Sequence, residues 1–262
     1  MMFLKKSLGL MSCVAFLVSG SAMAAVQTKT IAYKKGNEAF EGVLFTPDNV
    51  RGKAPAILMI HNWLGITDET KTQAKRFADL GYVVFAADIY GTASKPKNVE
   101  EAGKLSGSYK ADRKLFRENL ILGFNELKKQ ANVDSSKLAA VGYCFGGTGV
   151  IELARTGADV KSVLSFHGAL DSPTPQDGKN IKAHVIAFHG ADDPYVKPED
   201  LAAFEKEMRE SKVDWELVKF GNAVHSFTEK GAGTDNSKGA AYNQKADTRS
   251  FEGAKDFLKE TL

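Results

Sequence analysis

The protein is a chain of 262 residues, of which 43% are hydrophobic and 26% are charged, with a formal net charge of +3. These values are ordinary for a globular protein and exclude collagen-like, disordered and polytopic membrane chains. A chain of this length holds either one large α/β domain or two small ones. It contains two cysteines, and Cys13 lies in an apolar segment near the N-terminus while Cys144 lies mid-chain.

The first 24 residues have the pattern of a secretory signal peptide. Two lysines precede a predominantly apolar segment, residues 7–20, and residues 22–24 read AMA, a small-residue cleavage site. The apolar segment is too short to span a bilayer. Residues 10–13 weakly resemble a lipoprotein cleavage box, but the apolar segment continues beyond them, which favours cleavage after Ala24.

Cleavage at this position simplifies the chain. It removes two lysines and no acidic residue, which lowers the net charge from +3 to +1. A nearly neutral chain offers no electrostatic attraction to nucleic acid or to an anionic membrane. Cys144 becomes the single cysteine, so an internal disulfide is impossible. We therefore expect a periplasmic or secreted monomer without a nucleic-acid or membrane partner.

The next elements are strands. Residues 26–33 and 39–45 are predicted as two strands, and the KGN sequence between them favours a turn, which indicates a hairpin. From residue 55 onward, continuous apolar runs alternate with helical patterns, which is typical of a parallel sheet covered on both faces. These later strands are predicted at residues 56–60, 82–87, 138–142, 162–166, 183–188 and 215–220.

Two of the helices between these strands carry clear signals. Thr67 precedes two acidic residues, which suits an N-cap and an acidic first turn, and Gly81 suits the end of that helix. A second helix is predicted over about residues 111–130 because apolar side chains recur every three or four positions. No repeat or linker interrupts the chain, so a single α/β domain is predicted over residues 25–262. The apolar stripe of the second helix comprises Phe116, Leu120, Phe124 and Leu127.

Residues 142–147 read GYCFGG and lie between an apolar strand and a helical segment. A nucleophile on a tight strand-to-helix turn needs small neighbours, because its backbone is strained and the helix must pack close to the strand. Gly142 and Gly146, two residues before and after Cys144, meet this need. A lone cysteine is more often a small buried hydrophobic residue, but this spacing favours a nucleophile elbow with cysteine in place of serine.

An acid and a histidine follow the nucleophile in the chain order of this architecture. Asp193, directly before a proline at the end of a predicted strand, is the candidate acid, while Asp192 is expected to stabilise the turn. His225, in the loop after the last strand, is the candidate base. No pair has the HExxH or CxxC spacing of a metal site, so neither a metal nor a cofactor is expected. The other histidines are expected to be core or rim residues of the sheet, among them His167, His184 and His189.

The loop after the first central parallel strand supplies the second oxyanion donor in this architecture. Residues 61–65 read HNWLG. The backbone N–H groups of Trp63 and Phe145 are therefore predicted to hold the oxyanion. The Trp63 side chain equally suits a pocket wall, and the two roles are compatible because they use different atoms.

These motifs together resemble the dienelactone hydrolase (carboxymethylenebutenolidase) family. The matching features are residues 142–147, Asp193 before a proline, residues 225–227 (HSF) and residues 87–90 (ADIY). The resemblance covers about residues 38–261. It implies an α/β-hydrolase fold without a large lid domain, in which a mostly parallel central sheet of about eight strands has helices on both faces. It also implies a catalytic triad of Cys144, Asp193 and His225.

The chain departs from the family at two positions. Asn62 stands where family members have a glutamate that helps to control the thiol proton. An amide cannot take that proton, so His225 is expected to activate Cys144 directly. Glu229 stands where they have an arginine that grips a substrate carboxylate, so a carboxylate-bearing lactone is expected to be repelled. Asn62, Tyr143 and Glu229 are the residues expected to contact substrate.

The resulting hypothesis is an exported hydrolase that cleaves an ester, lactone or related acyl bond of a small molecule through a thiol-acyl intermediate. One alternative is a carboxylesterase or thioesterase with broad substrates. Another is a non-hydrolytic binding or redox protein, because a lone thiol in an oxidising compartment is prone to oxidation. The lack of a resolving cysteine argues against a dedicated redox relay. Residues 91–109 and 229–242 are expected to be loops that form pocket walls.

Overall fold

The computed structural model of the protein describes residues 25–262. The predicted signal peptide, residues 1–24, lies outside the described residues. Eight strands form one sheet in the order β1-β2-β4-β3-β5-β6-β7-β8. The strands are β1 (Val26–Lys35), β2 (Glu38–Pro47), β3 (Ala54–Ile60), β4 (Val83–Ala87), β5 (Val133–Tyr143), β6 (Ser162–Phe166), β7 (His184–Gly190) and β8 (Trp215–Phe220).

Six α-helices accompany the sheet in residues 25–262. They are α1 (Asp68–Ala78), α2 (Val99–Ala111), α3 (Arg113–Lys128), α4 (Phe145–Arg155), α5 (Pro198–Glu210) and α6 (Gln244–Thr261). None of the helices in this part of the chain is long and apolar enough to cross a membrane.

The sheet is mostly parallel, as the sequence predicts. The hairpin of β1 and β2 is antiparallel, and β2 pairs antiparallel with β4. The six remaining strands, β3 to β8, run parallel. Because the carboxyl ends of parallel strands meet at one edge, the loops after β3, β5, β7 and β8 gather there.

The central strands are apolar throughout because both faces of the sheet are covered. Successive side chains of a strand point to opposite faces. In β3, Leu58 and Ile60 belong to one apolar core, while Ile57 and Met59 belong to the core on the other face. A continuous apolar sequence therefore serves two cores at once, which explains the lack of alternation that the sequence shows.

The structure confirms the Thr67 N-cap, whose side chain accepts a hydrogen bond from the N–H of Thr70. It corrects the expectation of a loop over residues 91–109, because α2 occupies much of this segment. The helix begins there because the Asn98 side chain accepts a hydrogen bond from the N–H of Glu101 at 2.9 Å, an N-cap of the ordinary kind. The predicted helix at residues 111–130 is α3.

Candidate active site

Cys144 occupies a strained turn between β5 and α4. Its φ of 55° and ψ of −115° lie in a region that few non-glycine residues adopt. A Cβ on Gly142 would overlap the carbonyl oxygen of Gly146, and one on Gly146 would overlap the carbonyl oxygen of Ile60. The Cys144 N–H donates to the carbonyl of Phe166 at 3.0 Å. The two glycines thus allow α4 to start directly against the sheet, and the turn projects a half-buried thiol.

The imidazole of His225 lies between the thiol of Cys144 and the carboxylate of Asp193. Its Nε2 is 3.1 Å from Sγ, and its Nδ1 is 2.8 Å from Oδ2 of Asp193. The other oxygen of Asp193 accepts the N–H of Tyr195 at 2.8 Å. Asp192 is exposed on the surface. The structure therefore brings together the three residues that the sequence predicts as a triad, in a nucleophile–base–acid order.

The environment of His225 favours its protonated form. Burial lowers the pKa of His225, but its hydrogen bonds to Asp193 and Cys144 and the charges of both groups outweigh this effect and raise the pKa to about 10. The His225 ring is therefore well suited to hold a proton beside Sγ, which lies 3.1 Å from its Nε2. A cysteine attacks as the thiolate, and a histidine at this distance is a group that can take its proton.

Two further aromatic rings fix the position of the His225 ring. His167, at the end of β6, packs its ring edge-on to that of His225 with 5.2 Å between the ring centroids, and its Nε2 lies 2.8 Å from Oγ1 of Thr228. Burial and the charge of His225 hold the pKa of His167 well below its ordinary value, so it stays neutral. The Tyr195 ring packs edge-on to the His225 ring from another side, with 5.4 Å between the ring centroids.

Sequence reasoning missed both of these contacts. It treats His167 as a core or rim residue of the sheet, and the side chain is completely buried. Its place directly after a strand and before Gly168 is visible in the sequence, but the positive φ of 40° that His167 adopts there and its contact with His225 are not. Tyr195 follows the candidate acid by two residues, and this proximity was the available signal. His184, by contrast, is exposed and pairs with Asp214 at 2.8 Å.

Both predicted oxyanion donors lie at the edge of the sheet where the thiol emerges. Phe145 is the first residue of α4, so its N–H is one of the helix N–H groups that have no acceptor within the helix. Trp63 lies in the loop after β3, and its carbonyl accepts the hydroxyl of Tyr90 at 3.0 Å. That bond anchors the loop on the segment that follows β4. The Trp63 side chain is partly buried against the core, which also suits a pocket wall.

Asn62 and Glu229 contact each other. The Asn62 amide donates from Nδ2 to Oε1 of Glu229 at 3.2 Å. Burial, together with the charge of Glu69, raises the pKa of Glu229 against the opposing hydrogen bond from Asn62. The carboxyl thus lies on Asn62 instead of standing free at the mouth of the site. The expectation that Glu229 repels a substrate carboxylate stays a prediction, because a hydrogen bond from the neutral Asn62 amide does not remove the charge of a carboxylate.

Tyr143 lies behind the nucleophile. Its ring stacks on that of Phe166 with 4.6 Å between the centroids and is almost fully buried. Together with Asn62 and Glu229 it lines a small cavity of about 10 Å³ beneath α1. Within residues 25–262, no group of three or more His, Cys, Asp or Glu could hold a metal ion.

The two neighbouring aspartates give a matched test of the acid. Asp193→Asn should lower kcat for ester hydrolysis roughly 10³-fold, because an amide cannot hold the protonated His225 ring as the carboxylate does. Asp192→Asn should leave kcat near the wild-type value, because this side chain is exposed. Steady-state kinetics on both variants measure the difference, and an equal loss in both would contradict the assignment of Asp193.

Comparisons with known proteins identify the family of the chain. The sequence model of the dienelactone hydrolase family matches residues 40–262. The chain belongs to the dienelactone hydrolase family. As a family member it is a hydrolase that acts on ester or lactone bonds, and its sheet is that of an α/β-hydrolase. The residues that the family model matches, 40–262, agree closely with the span of about residues 38–261 over which the motifs resemble the family.

Three related proteins show how far the chain resembles known proteins in sequence and in fold. The crystal structure of a dienelactone hydrolase-like promiscuous phosphotriesterase from metagenomic libraries is 35% identical, covers 90% of this chain and 99% of that chain, and superposes with a TM-score of 0.86. A probable 2-oxo-3-(5-oxofuran-2-ylidene)propanoate lactonase from Bradyrhizobium sp. is 28% identical over 69% of this chain and 76% of its own length. A dienelactone hydrolase from Anabaena variabilis, 19% identical, shares the fold with a TM-score of 0.68 over 90% of this chain and 99% of that chain.

Proposed function

We propose that this protein is an exported hydrolase that opens ester or lactone bonds with Cys144 as the nucleophile, His225 as the proton carrier and Asp193 as the orienting acid. The observation that carries the proposal is the His225 ring, which lies 3.1 Å from Sγ and 2.8 Å from the Asp193 carboxylate. The signal-peptide pattern of residues 1–24 supports export.

The first half of the reaction forms a thioester. Sγ of Cys144 attacks the carbonyl carbon of the ester, and the carbonyl oxygen becomes an oxyanion that the N–H groups of Trp63 and Phe145 stabilise. The carbon–oxygen bond to the leaving group then breaks, and the departing alkoxide takes the proton from Nε2 of His225. The products of this half are an alcohol and an acyl group bound to Cys144. In a lactone the alcohol and the acyl group belong to the same molecule, which stays bound to Cys144.

The second half hydrolyses the thioester. Once Sγ is acylated it no longer carries a charge or the hydrogen bond that helps to raise the pKa of His225. The pKa therefore falls, and the neutral ring takes a proton from water as the water oxygen attacks the acyl carbon. The carbon–sulfur bond breaks, the acid leaves, and the thiolate and the protonated His225 are restored.

The surroundings of the triad favour a small ester with an uncharged leaving group. Tyr195 is 61% exposed beside His225, which donates the proton to the leaving group, and Leu64, in the loop after β3 that carries Trp63, is 36% exposed. These side chains offer apolar contact area. We therefore choose a short-chain aryl ester as the test substrate.

A second candidate activity is the hydrolysis of phosphotriesters. It is supported by the 35% identical relative described as a promiscuous phosphotriesterase, which matches over 90% of this chain. An uncharged phosphotriester, like an ester, develops negative charge on an oxygen when a nucleophile attacks. The same N–H groups would serve it, so this activity would use the same thiol.

The direct test is alkylation of the thiol. Cys144 is the one free cysteine of residues 25–262, so one equivalent of iodoacetamide should abolish hydrolysis of the aryl ester in step with alkylation. Mass spectrometry counts the label and an ester assay measures the remaining turnover. Prior incubation with excess substrate should slow labelling. Full turnover with Cys144 completely alkylated would show that the thiol mechanism is wrong.

A further inference from the structure

We propose that Asn62 and Glu229 are a positioning pair that holds the oxyanion loop, residues 61–65, against the histidine loop, residues 221–229. In this role Glu229 acts through Asn62 on the orientation of the Trp63 N–H and has no direct effect on substrate charge. The inference rests on the proposed hydrolase mechanism, since it concerns the oxyanion donor of that reaction.

On the oxyanion loop, Asn62 controls the turn that contains Trp63. Its Oδ1 accepts the N–H of Leu64 at 3.0 Å, and its backbone carbonyl accepts the N–H of Gly65 at 3.2 Å. Such a side-chain bond two residues along the chain is an Asx turn, which sets the backbone direction of the residue between. That residue is Trp63, so the direction of its N–H depends on the conformation of Asn62.

On the histidine loop, Glu229 lies one turn after the base. Its N–H donates to the carbonyl of Ser226 at 2.9 Å, and Ser226 adopts a positive φ of 57°. The preceding Thr228 is held by His167 on one side and by Gln73, whose Nε2 donates to the Thr228 carbonyl at 3.4 Å. The loop therefore presents the Glu229 carboxyl from a fixed backbone.

The bond between these two loops joins residues 167 positions apart in the sequence. Asn62 is only 3% exposed. Breaking this partly buried bond leaves the buried Asn62 amide without that partner and with little access to water, which costs more than the loss of an exposed bond. The two loops are therefore expected to keep one relative arrangement, with the oxyanion donor and His225 at a fixed separation.

The surroundings of Glu229 fit a positioning role better than a substrate-binding one. The cavity on which its carboxyl borders is also lined by Glu69, Gln73 and Tyr143, and it holds only about 10 Å³. This volume accommodates a single water molecule and no organic group. Neither Cys144 nor His225 lines that cavity. The thiol and the imidazole therefore lie outside the cavity that the Glu229 carboxyl borders.

Exchange of donor and acceptor tests the pair. Asn62→Asp keeps the oxygen that accepts the Leu64 N–H but sets two carboxyl groups against each other, so kcat for a neutral aryl ester should fall 10- to 100-fold with KM within about 3-fold. Glu229→Gln still offers an oxygen to Asn62, and kcat should fall no more than about 3-fold. The double variant Asn62→Asp, Glu229→Gln reverses the direction of the bond and should recover kcat to within about 3-fold of Glu229→Gln.

Two controls separate positioning from general damage. Glu229→Ala removes the bond without adding a charge and should lower kcat about 10-fold, whereas Glu199→Ala, at an exposed glutamate on α5, should change nothing. The rate at which iodoacetamide labels Cys144 should stay within about 2-fold in every variant, because the pair acts on the oxyanion donor and not on the thiol.

Three outcomes decide the inference. Recovery in the double variant, with equal effects on neutral and carboxylate-bearing esters, supports it. If Glu229→Gln instead raises kcat/KM for a carboxylate-bearing ester at least 10-fold relative to the neutral one, Glu229 acts on substrate charge and the inference is overturned. It is also overturned if Asn62→Asp and Glu229→Ala both hydrolyse the ester like wild type. Absence of turnover in the wild-type enzyme would instead remove the proposed function, and the pair with it.

Discussion

The double variant Cys144→Ala, His225→Ala is expected to hydrolyse an aryl ester no more slowly than either single variant, with each of the three on the order of 10⁵-fold below the wild-type kcat. The reason is the 3.1 Å contact between Sγ and Nε2. The thiol attacks only with the imidazole to carry its proton, and the imidazole has nothing to activate without the thiol. Either loss removes the whole covalent route, so the second adds nothing.

The rate that remains should come from the oxyanion donors and from substrate binding. Single-turnover and steady-state assays at high enzyme concentration measure it, because ordinary assays would not detect so slow a reaction. His184→Ala is the matched histidine control, since His184 is exposed and pairs with Asp214 away from the thiol. It should retain wild-type kcat. Multiplicative losses in the double variant would show that Cys144 and His225 act independently, contrary to the proposed mechanism.

Local patterns were sufficient to predict the sheet and the nucleophile turn. The parallel strands are apolar over their whole length because they serve two cores, and this property is visible in the sequence without any knowledge of contacts. The turn at Cys144 is predictable because the close approach of α4 to the strands excludes every side chain at positions 142 and 146. In both cases the residue type is determined by the packing of the backbone segment in which it lies, so a local pattern shows it.

Contacts between distant residues were not predictable in this way. The partner of Glu229 is Asn62, 167 residues away, and its identity depends on how two loops meet once the sheet has formed. The packing of His167 on His225 likewise joins the end of β6 to the loop after β8. Neither contact leaves a periodic or spacing signal, so the sequence alone places Glu229 near the substrate and His167 among the core or rim residues of the sheet, without showing either contact.

The start of α2 was also not predicted, although the signal for it is local. Asn98 is followed three residues later by Glu101, a spacing typical of a helix N-terminus, and the structure shows reciprocal bonds between the two. Glycines at positions 103 and 107 weaken the helical pattern that follows. Tertiary packing outweighs them, since Ala102, Ser106 and Tyr109 form a buried face.

Gly146→Ala should destabilise the folded protein by about 3 kcal/mol or more, which is a large part of the total free energy of unfolding of an ordinary domain. A Cβ at this position would lie 2.7 Å from the carbonyl oxygen of His61 and closer still to that of Ile60. These are backbone atoms at the end of β3, so they cannot swing aside as the end of a flexible side chain would. Relief requires that α4 move away from the sheet.

That movement would also displace the site. Phe145, whose N–H is a predicted oxyanion donor, is the residue directly before Gly146, so any folded fraction should show reduced kcat as well as a lower midpoint of urea unfolding. Gly107→Ala provides the matched control, because a Cβ there would have no atom within 4 Å. Position 107 is exposed within α2, where alanine in place of glycine should stabilise the helix by up to about 1 kcal/mol. Equal stability of the two variants would contradict the close packing of α4 on β3, since the same added methyl group is expected to have opposite effects at the two positions.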